Sequence, residues 1–128
     1  MEIVEFLTAC LDEDERIARA AAGLQADPEN GWGVSDRAIT PHIAIVHEDE
    51  ARAHIATWNP TRVLREIEAK RAVVARYEFA CREASRLDLA EDEREMWIRV
   101  GGALQSVVIQ LAAPYAGRPG FKAEEWAP

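Results

Sequence analysis

Three histidines, His42, His47 and His54, stand near the acids Glu48, Asp49 and Glu50, and these are the residue types a metal-dependent hydrolase would use. Their spacing does not suit that chemistry. His42 and His47 are five apart and would point to opposite faces of a strand. The run from His47 to His54 lacks the two helical histidines four apart that zinc hydrolases present. Asp12-Glu13-Asp14-Glu15 carries enough charge for a hard cation, yet consecutive helix positions fan out around the axis and read as a solvated face. No Ser, Cys or Thr sits in a nucleophile elbow, and Gly31, Gly33, Gly101, Gly102, Gly117 and Gly120 match neither phosphate-loop fingerprint. Carboxylates number 23, but no spacing singles out a glycosidase-like pair. The expectation is a non-enzymatic protein with no catalytic residue, no metal and no cofactor.

The basic residues are more suggestive. Arg62, Arg65, Lys70, Arg71 and Arg76 fall in one segment that begins just after His54 and Trp58. Guanidinium forks suit phosphate or carboxylate, so these residues either pair with Glu66, Glu68 and the acidic N-terminal half or line an anion pocket. In the pocket reading the ligand-binding residues are Trp32, His54, Trp58, Arg62, Lys70, Arg71, Tyr115 and Trp126, with the aromatic residues as walls around a nucleotide-sized ligand.

Helices must position these groups. From Ile3 the apolar residues Phe6, Leu7, Cys10, Leu11, Ile17, Ala18, Ala21 and Leu24 recur at three- and four-residue steps, predicting a first helix to about Leu24. Asp12 with Arg16 and Glu15 with Arg19 stand four apart in the favourable order. Turn formers at 27–31 stop the helix. Between Trp32 and Val46, β-formers broken by Ser35-Asp36-Arg37 and Thr40-Pro41 predict two short strands, with Pro41 at an edge or bulge. A short helix follows from about Asp49 through Ala56, and Asn59-Pro60 caps and restarts the chain as a long helix to about Arg86.

Asp88 and Glu91 then form a capping-box pattern ahead of a stripe of Trp97, Val100, Leu104, Val107, Val108 and Leu111. Gly101-Gly102 in that helix implies close approach of another backbone, and Pro114 ends or kinks it. The tail from Tyr115 reads as an extended strap. The predicted fold is mainly α with a small β-hairpin (α+β), a single domain over 1–128. It has an N-terminal helix, two short strands, a short helix, two long antiparallel helices and an extended C-terminal tail.

At 128 residues the chain has room for one core, and 48% hydrophobic with 30% charged residues is a globular balance. The net charge of -8 is uneven: residues 59–86 hold 4 acids against 7 bases, whereas 1–58 hold 12 against 4. An acidic whole argues against binding nucleic-acid backbone, which needs Lys and Arg to displace counterions. No apolar run reaches the roughly 18 residues of a membrane span, because Gln105, Ser106 and Gln110 interrupt the longest. The acidic start Met1-Glu2-Ile3-Val4-Glu5 does not resemble a signal peptide, so a cytoplasmic location is expected. Cys10 and Cys81 each fall on a helical apolar stripe and read as buried thiols rather than a disulfide.

Two stretches, 54–71 (His54-Ile55-Ala56-Thr57-Trp58-Asn59-Pro60 onward) and 111–121 (Leu111-Ala112-Ala113-Pro114-Tyr115 onward) closed by Glu125-Trp126-Ala127-Pro128, resemble an uncharacterised small-protein family of actinobacteria and their phages, domain of unknown function 6221. Phe6-Leu7, 11–15 and Trp32 fit the same pattern. The chain departs from that family's usual residues at Ala112-Ala113 and near Gly117-Arg118. The Ile55-Ala56-x-x-Asn59-Pro60-x-x-Val63-Leu64 segment also looks like one in Ead/Ea22-like phage accessory proteins. The resemblance implies a phage or actinobacterial accessory protein, with counter-defence as one such role, and no assigned activity. The expectation is a homo-oligomeric protein that sequesters a small anionic ligand such as a nucleotide signal or engages a host protein. An acidic decoy for a DNA-handling host protein and a metal-dependent hydrolase are the alternatives.

Overall fold

The computed structural model describes residues 2–23, 32–35, 38–40, 44–45 and 47–126. Five helices dominate it: α1 (Ile3–Ala22), α2 (Asp49–Thr57), α3 (Pro60–Ala84), α4 (Glu91–Ala112) and α5 (Ala123–Trp126). Backbone contacts gather into two units, one of Met1–Leu11 with Ala69–Pro128 and the other of Asp12–Glu68.

The expected α+β class does not hold; the protein is helical. Among the described residues between Trp32 and Ile45, three short pieces pair, β1 (Gly33–Ser35), β2 (Ala38–Thr40) and β3 (Ala44–Ile45), antiparallel in the order β1-β2-β3. Helices hold most of the described residues, so the β-forming residue types of this stretch do not set the class. Pro41, His42 and the turn at 27–31 lie outside the described residues.

In the second unit the Asn59-Pro60 restart is built as the sequence requires. The Asn59 side chain accepts from the Arg62 amide at 3.1 Å and donates to the Ala56 carbonyl at 3.0 Å, so one residue caps α3 and ties off α2. Pro60 takes the first position of α3, where no amide donor is needed. On α1 Arg19 pairs with Glu15 at 2.7 Å as expected. Arg16 reaches Glu13 instead of the expected Asp12, because two bonds of 2.8 Å let the guanidinium fork meet both carboxylate oxygens.

The first unit is centred on aromatic packing. Phe6 meets Phe121 edge-on at 5.7 Å between ring centres and Trp126 at 5.2 Å, and Phe121 meets Trp126 at 5.7 Å. The extended strap expected after Tyr115 is therefore replaced by a compact return. A 3-10 turn over Ala113–Tyr115 contains Pro114, Gly120 adopts a φ of 94° that glycine alone tolerates readily, and α5 delivers Trp126 to the core. Burying Tyr115 and Trp126 gives the tail a reason to coil back that its Gly- and Pro-rich composition does not reveal.

The later turns of α3 and α4 run antiparallel, with Phe79 against Trp97 at 5.5 Å and Cys81 beside Gly101. The connection is clamped by Arg86, which donates to Asp88 at 3.0 and 2.7 Å and to Glu83 at 2.8 Å. That engagement holds the Asp88 carboxyl below its ordinary range and raises the Arg86 guanidinium. It also explains why the capping box fails: Asp88 is taken by Arg86, α4 starts at Glu91, and its N-cap is Ala90 without a side-chain bond. Cys10 is buried as expected, but Cys81 is exposed, lying at the edge of the α3 stripe.

The glycine pair is also unlike its expectation. A methyl at Gly101 would meet the Cys81 sulfur at an ordinary 3.9 Å, and one at Gly102 would meet nothing within 4 Å. No close backbone approach requires either glycine. Gly102→Ala is expected to stabilise the protein by about 0.5–1 kcal/mol through helix propensity and a less flexible unfolded chain. Urea denaturation checks this, and a destabilised variant would show a steric demand at that position.

Candidate functional site

Capping geometry sets the site in the second unit. Because Asn59 ends α2 and opens α3, Trp58 sits at the junction and Arg62 lies one helical turn onward, the spacing at which side chains meet on a helix. The Arg62 guanidinium carbon stands 4.1 Å from the centre of the Trp58 ring, while its Nε donates to Glu66 at 3.0 Å. His54, one turn before Trp58, lies 6.2 Å from it ring to ring. Four of the expected ligand-binding residues, His54, Trp58, Arg62 and Trp32, thus belong to this unit.

Trp32 and Trp58 line one pocket of about 240 Å³ together with Asp14, Ile17, Ala18, Ala21, Pro60 and Val63. Its walls are apolar apart from the Asp14 carboxylate and the indole of Trp32. The Trp32 Nε1 is buried and has no hydrogen-bond acceptor among the described residues. Leaving a buried donor unmet costs about 1–3 kcal/mol, and unmet donors are rare in folded proteins. At 240 Å³ the pocket falls below the roughly 300–1,000 Å³ of drug-sized sites, so it fits one ring system and not a dinucleotide.

The other four expected residues belong to the first unit and do different work. Lys70 stands 5.7 Å over the Tyr115 ring and the Arg118 guanidinium 4.8 Å from it, while Arg118 also donates to the Cys10 carbonyl at 3.2 Å. Trp126 is core, 5% exposed, with Lys122 5.5 Å from its ring. Arg71 is half-buried and engaged. The eight residues therefore divide between two clusters, and the Trp32 cluster opens on an apolar pocket.

Sequence reasoning missed most of the pocket wall. Asp14, which spacing assigns to a solvated acidic face, is half-buried, and Ile17, Ala18 and Ala21, which periodicity shows only as the stripe of α1, line the pocket. The available signal was that this stripe continues past Leu11 onto small residues, which leave room between a helix and an aromatic neighbour. A second groove, in the first unit, is lined by Glu2, Tyr77, Cys81, Arg82 and Gln105 and has mixed polarity; burial, then a hydrogen bond with Cys81, pushes the Tyr77 hydroxyl up. No set of three potential metal-ligating side chains converges among the described residues, which include His47 and His54.

The model of a family described as "Family of unknown function (DUF6221)" matches residues 1–128. No curated protein and no solved structure matches the chain.

Proposed function

We propose that this chain, which belongs to the DUF6221 family of unknown function, is a non-enzymatic binding protein whose tryptophan pocket takes the flat ring of a small ligand, with a purine nucleotide as the ligand class. The observation that carries the reading is the buried, unmet N–H of Trp32 on an otherwise apolar wall. A purine supplies what that wall lacks. A ring nitrogen accepts from Trp32, an exocyclic amino group suits the Asp14 carboxylate, and the ring face covers indole surface on Trp58, which is 45% exposed. Base-on-aromatic stacking contributes about 1–3 kcal/mol per base.

Arg62 supports the anionic part of the ligand. Its pairing with Glu66 is half-exposed, and pairs open to solvent contribute about 1 kcal/mol or less, so the guanidinium can turn to a phosphate at modest cost. An accessory role in an actinobacterium or its phage, acting against host defence by sequestering a nucleotide signal, is part of this proposal and rests on the sequence resemblance.

Calorimetric titration with AMP, GMP, adenosine and CMP tests it. Purine compounds are expected to bind, Trp58→Ala to weaken them by about tenfold or more, and Arg62→Ala to weaken AMP while leaving adenosine unchanged. Absence of binding across the four, or equal loss of AMP and adenosine in Arg62→Ala, overturns the reading.

A further inference from the structure

One charged side chain stands in the wall of the apolar pocket of the second unit. Asp14 comes three, four and seven residues before Ile17, Ala18 and Ala21, so it shares the helix face that lines the pocket. That face continues the stripe of Phe6, Leu7, Cys10 and Leu11, and position 14 falls where the stripe calls for an apolar residue. A half-buried carboxylate there gives up part of its hydration among apolar walls. Asp14 has a further interaction within the fold, and a carboxylate with about four acceptor positions keeps room for a ligand beside it.

We infer that Asp14 makes this pocket selective for guanine among the purines, an inference that rests on the purine reading of the same site. The two polar groups of the lining are of opposite kind: the Trp32 indole only donates, and an ionised carboxylate only accepts. Guanine carries its N1–H and its 2-amino group side by side, so two parallel N–H bonds reach both oxygens of one carboxylate, the paired, charge-assisted geometry that is the stronger kind. Its ring nitrogens N3 and N7 remain as acceptors for the Trp32 N–H.

Other ligands leave one of the two groups poorly served. Adenine sets its 6-amino group beside the lone pair of N1, so one carboxylate oxygen accepts while the other faces a lone pair. Cytosine repeats that arrangement with its 4-amino group and N3. A guanidinium cation would suit Asp14 but offers no acceptor to Trp32, whose N–H meets none among the described residues. A site built on hydrogen bonds rejects an analogue that leaves its buried groups unmet more sharply than one built on apolar shape.

Calorimetric titration of the full chain with GMP, IMP and AMP tests the selectivity. GMP is expected to bind about tenfold or more tighter than AMP, with IMP, which keeps the N1–H and lacks the amino group, between them. Asp14→Asn keeps the shape of the side chain but turns one acceptor into a donor. It is expected to weaken GMP by about tenfold or more and to remove its advantage over AMP, because an amide pairs with adenine through one donor and one acceptor. Circular dichroism reports whether the variant folds, and the ranking of the three ligands on the unaltered chain decides the matter if it does not. AMP or IMP binding as tightly as GMP, or a folded Asp14→Asn that still prefers GMP, overturns the guanine assignment and leaves the tryptophan pocket standing. Silence of all three removes the purine reading and this inference with it.

Discussion

Phe6→Ala is expected to lower stability by about 3–5 kcal/mol, the range for removing a large aromatic side chain from a packed core. Phe6 is 2% exposed and touches two other rings, so its loss removes apolar burial and leaves a cavity that Phe121 and Trp126 cannot both collapse into. Edge-on ring pairs add about 0.5–1.5 kcal/mol beyond burial, which places this site at the upper part of the range. The consequence extends down the chain. Because Trp126 is brought to the core by α5, loss of Phe6 should free the last residues, and Trp126 emission should shift towards that of a solvated indole. Urea denaturation measures the first effect and fluorescence the second; a loss under about 1 kcal/mol would mean that the tail is held by something else.

Two adjacent valines on α4 should behave as opposites. Val108 is 0% exposed and Val107 is 39% exposed, so one helical step separates core from surface. Val108→Asp buries a carboxylate in the core, and the expected cost exceeds about 4 kcal/mol, a large share of an ordinary domain's stability. Val107→Asp should change stability by only about 0.5 kcal/mol. Thermal denaturation of the two variants side by side checks the orientation of α4. Equal destabilisation would place the helix in a different rotation about its axis.

How far the sequence reached depends on whether the deciding interaction is local. Helix positions were legible because the Asn59-Pro60 restart, the α1 stripe and the stop at Pro114 act within a few residues. The membership of the family was legible too, from 54–71 and 111–121. Competition between neighbours was not: Asp88 satisfies the capping-box pattern, yet Arg86 two residues away takes it. The C-terminal fold was invisible because its cause, packing of Trp126 and Phe121 on Phe6, joins residues at opposite ends of the chain. The α+β expectation failed because the β-forming residue types between Trp32 and Ile45 are outweighed by five helices that hold most of the described residues.

The candidate site shows the same division. Trp58, His54 and Arg62 share one helix junction, so their association follows from spacing alone. Trp32 joins them from a segment before α2, and no periodicity relates it to Ile17 or Val63. Grouping Lys70, Arg71, Tyr115 and Trp126 with them rested on residue type, and type does not report that Tyr115 is already covered by Lys70 and Arg118.

Indole N–H resonances report on the pocket without any assumption about downstream role. The chain has four tryptophans, Trp32, Trp58, Trp97 and Trp126, and Trp32→Phe assigns the one that matters. During titration of nitrogen-15-labelled protein with AMP, the Trp32 N–H should move downfield as it gains an acceptor, while those of Trp97 and Trp126 hold still. A Trp32 resonance that stays fixed while AMP saturates the protein would contradict the account, because the donor left unmet by the fold would then not be what the ligand meets.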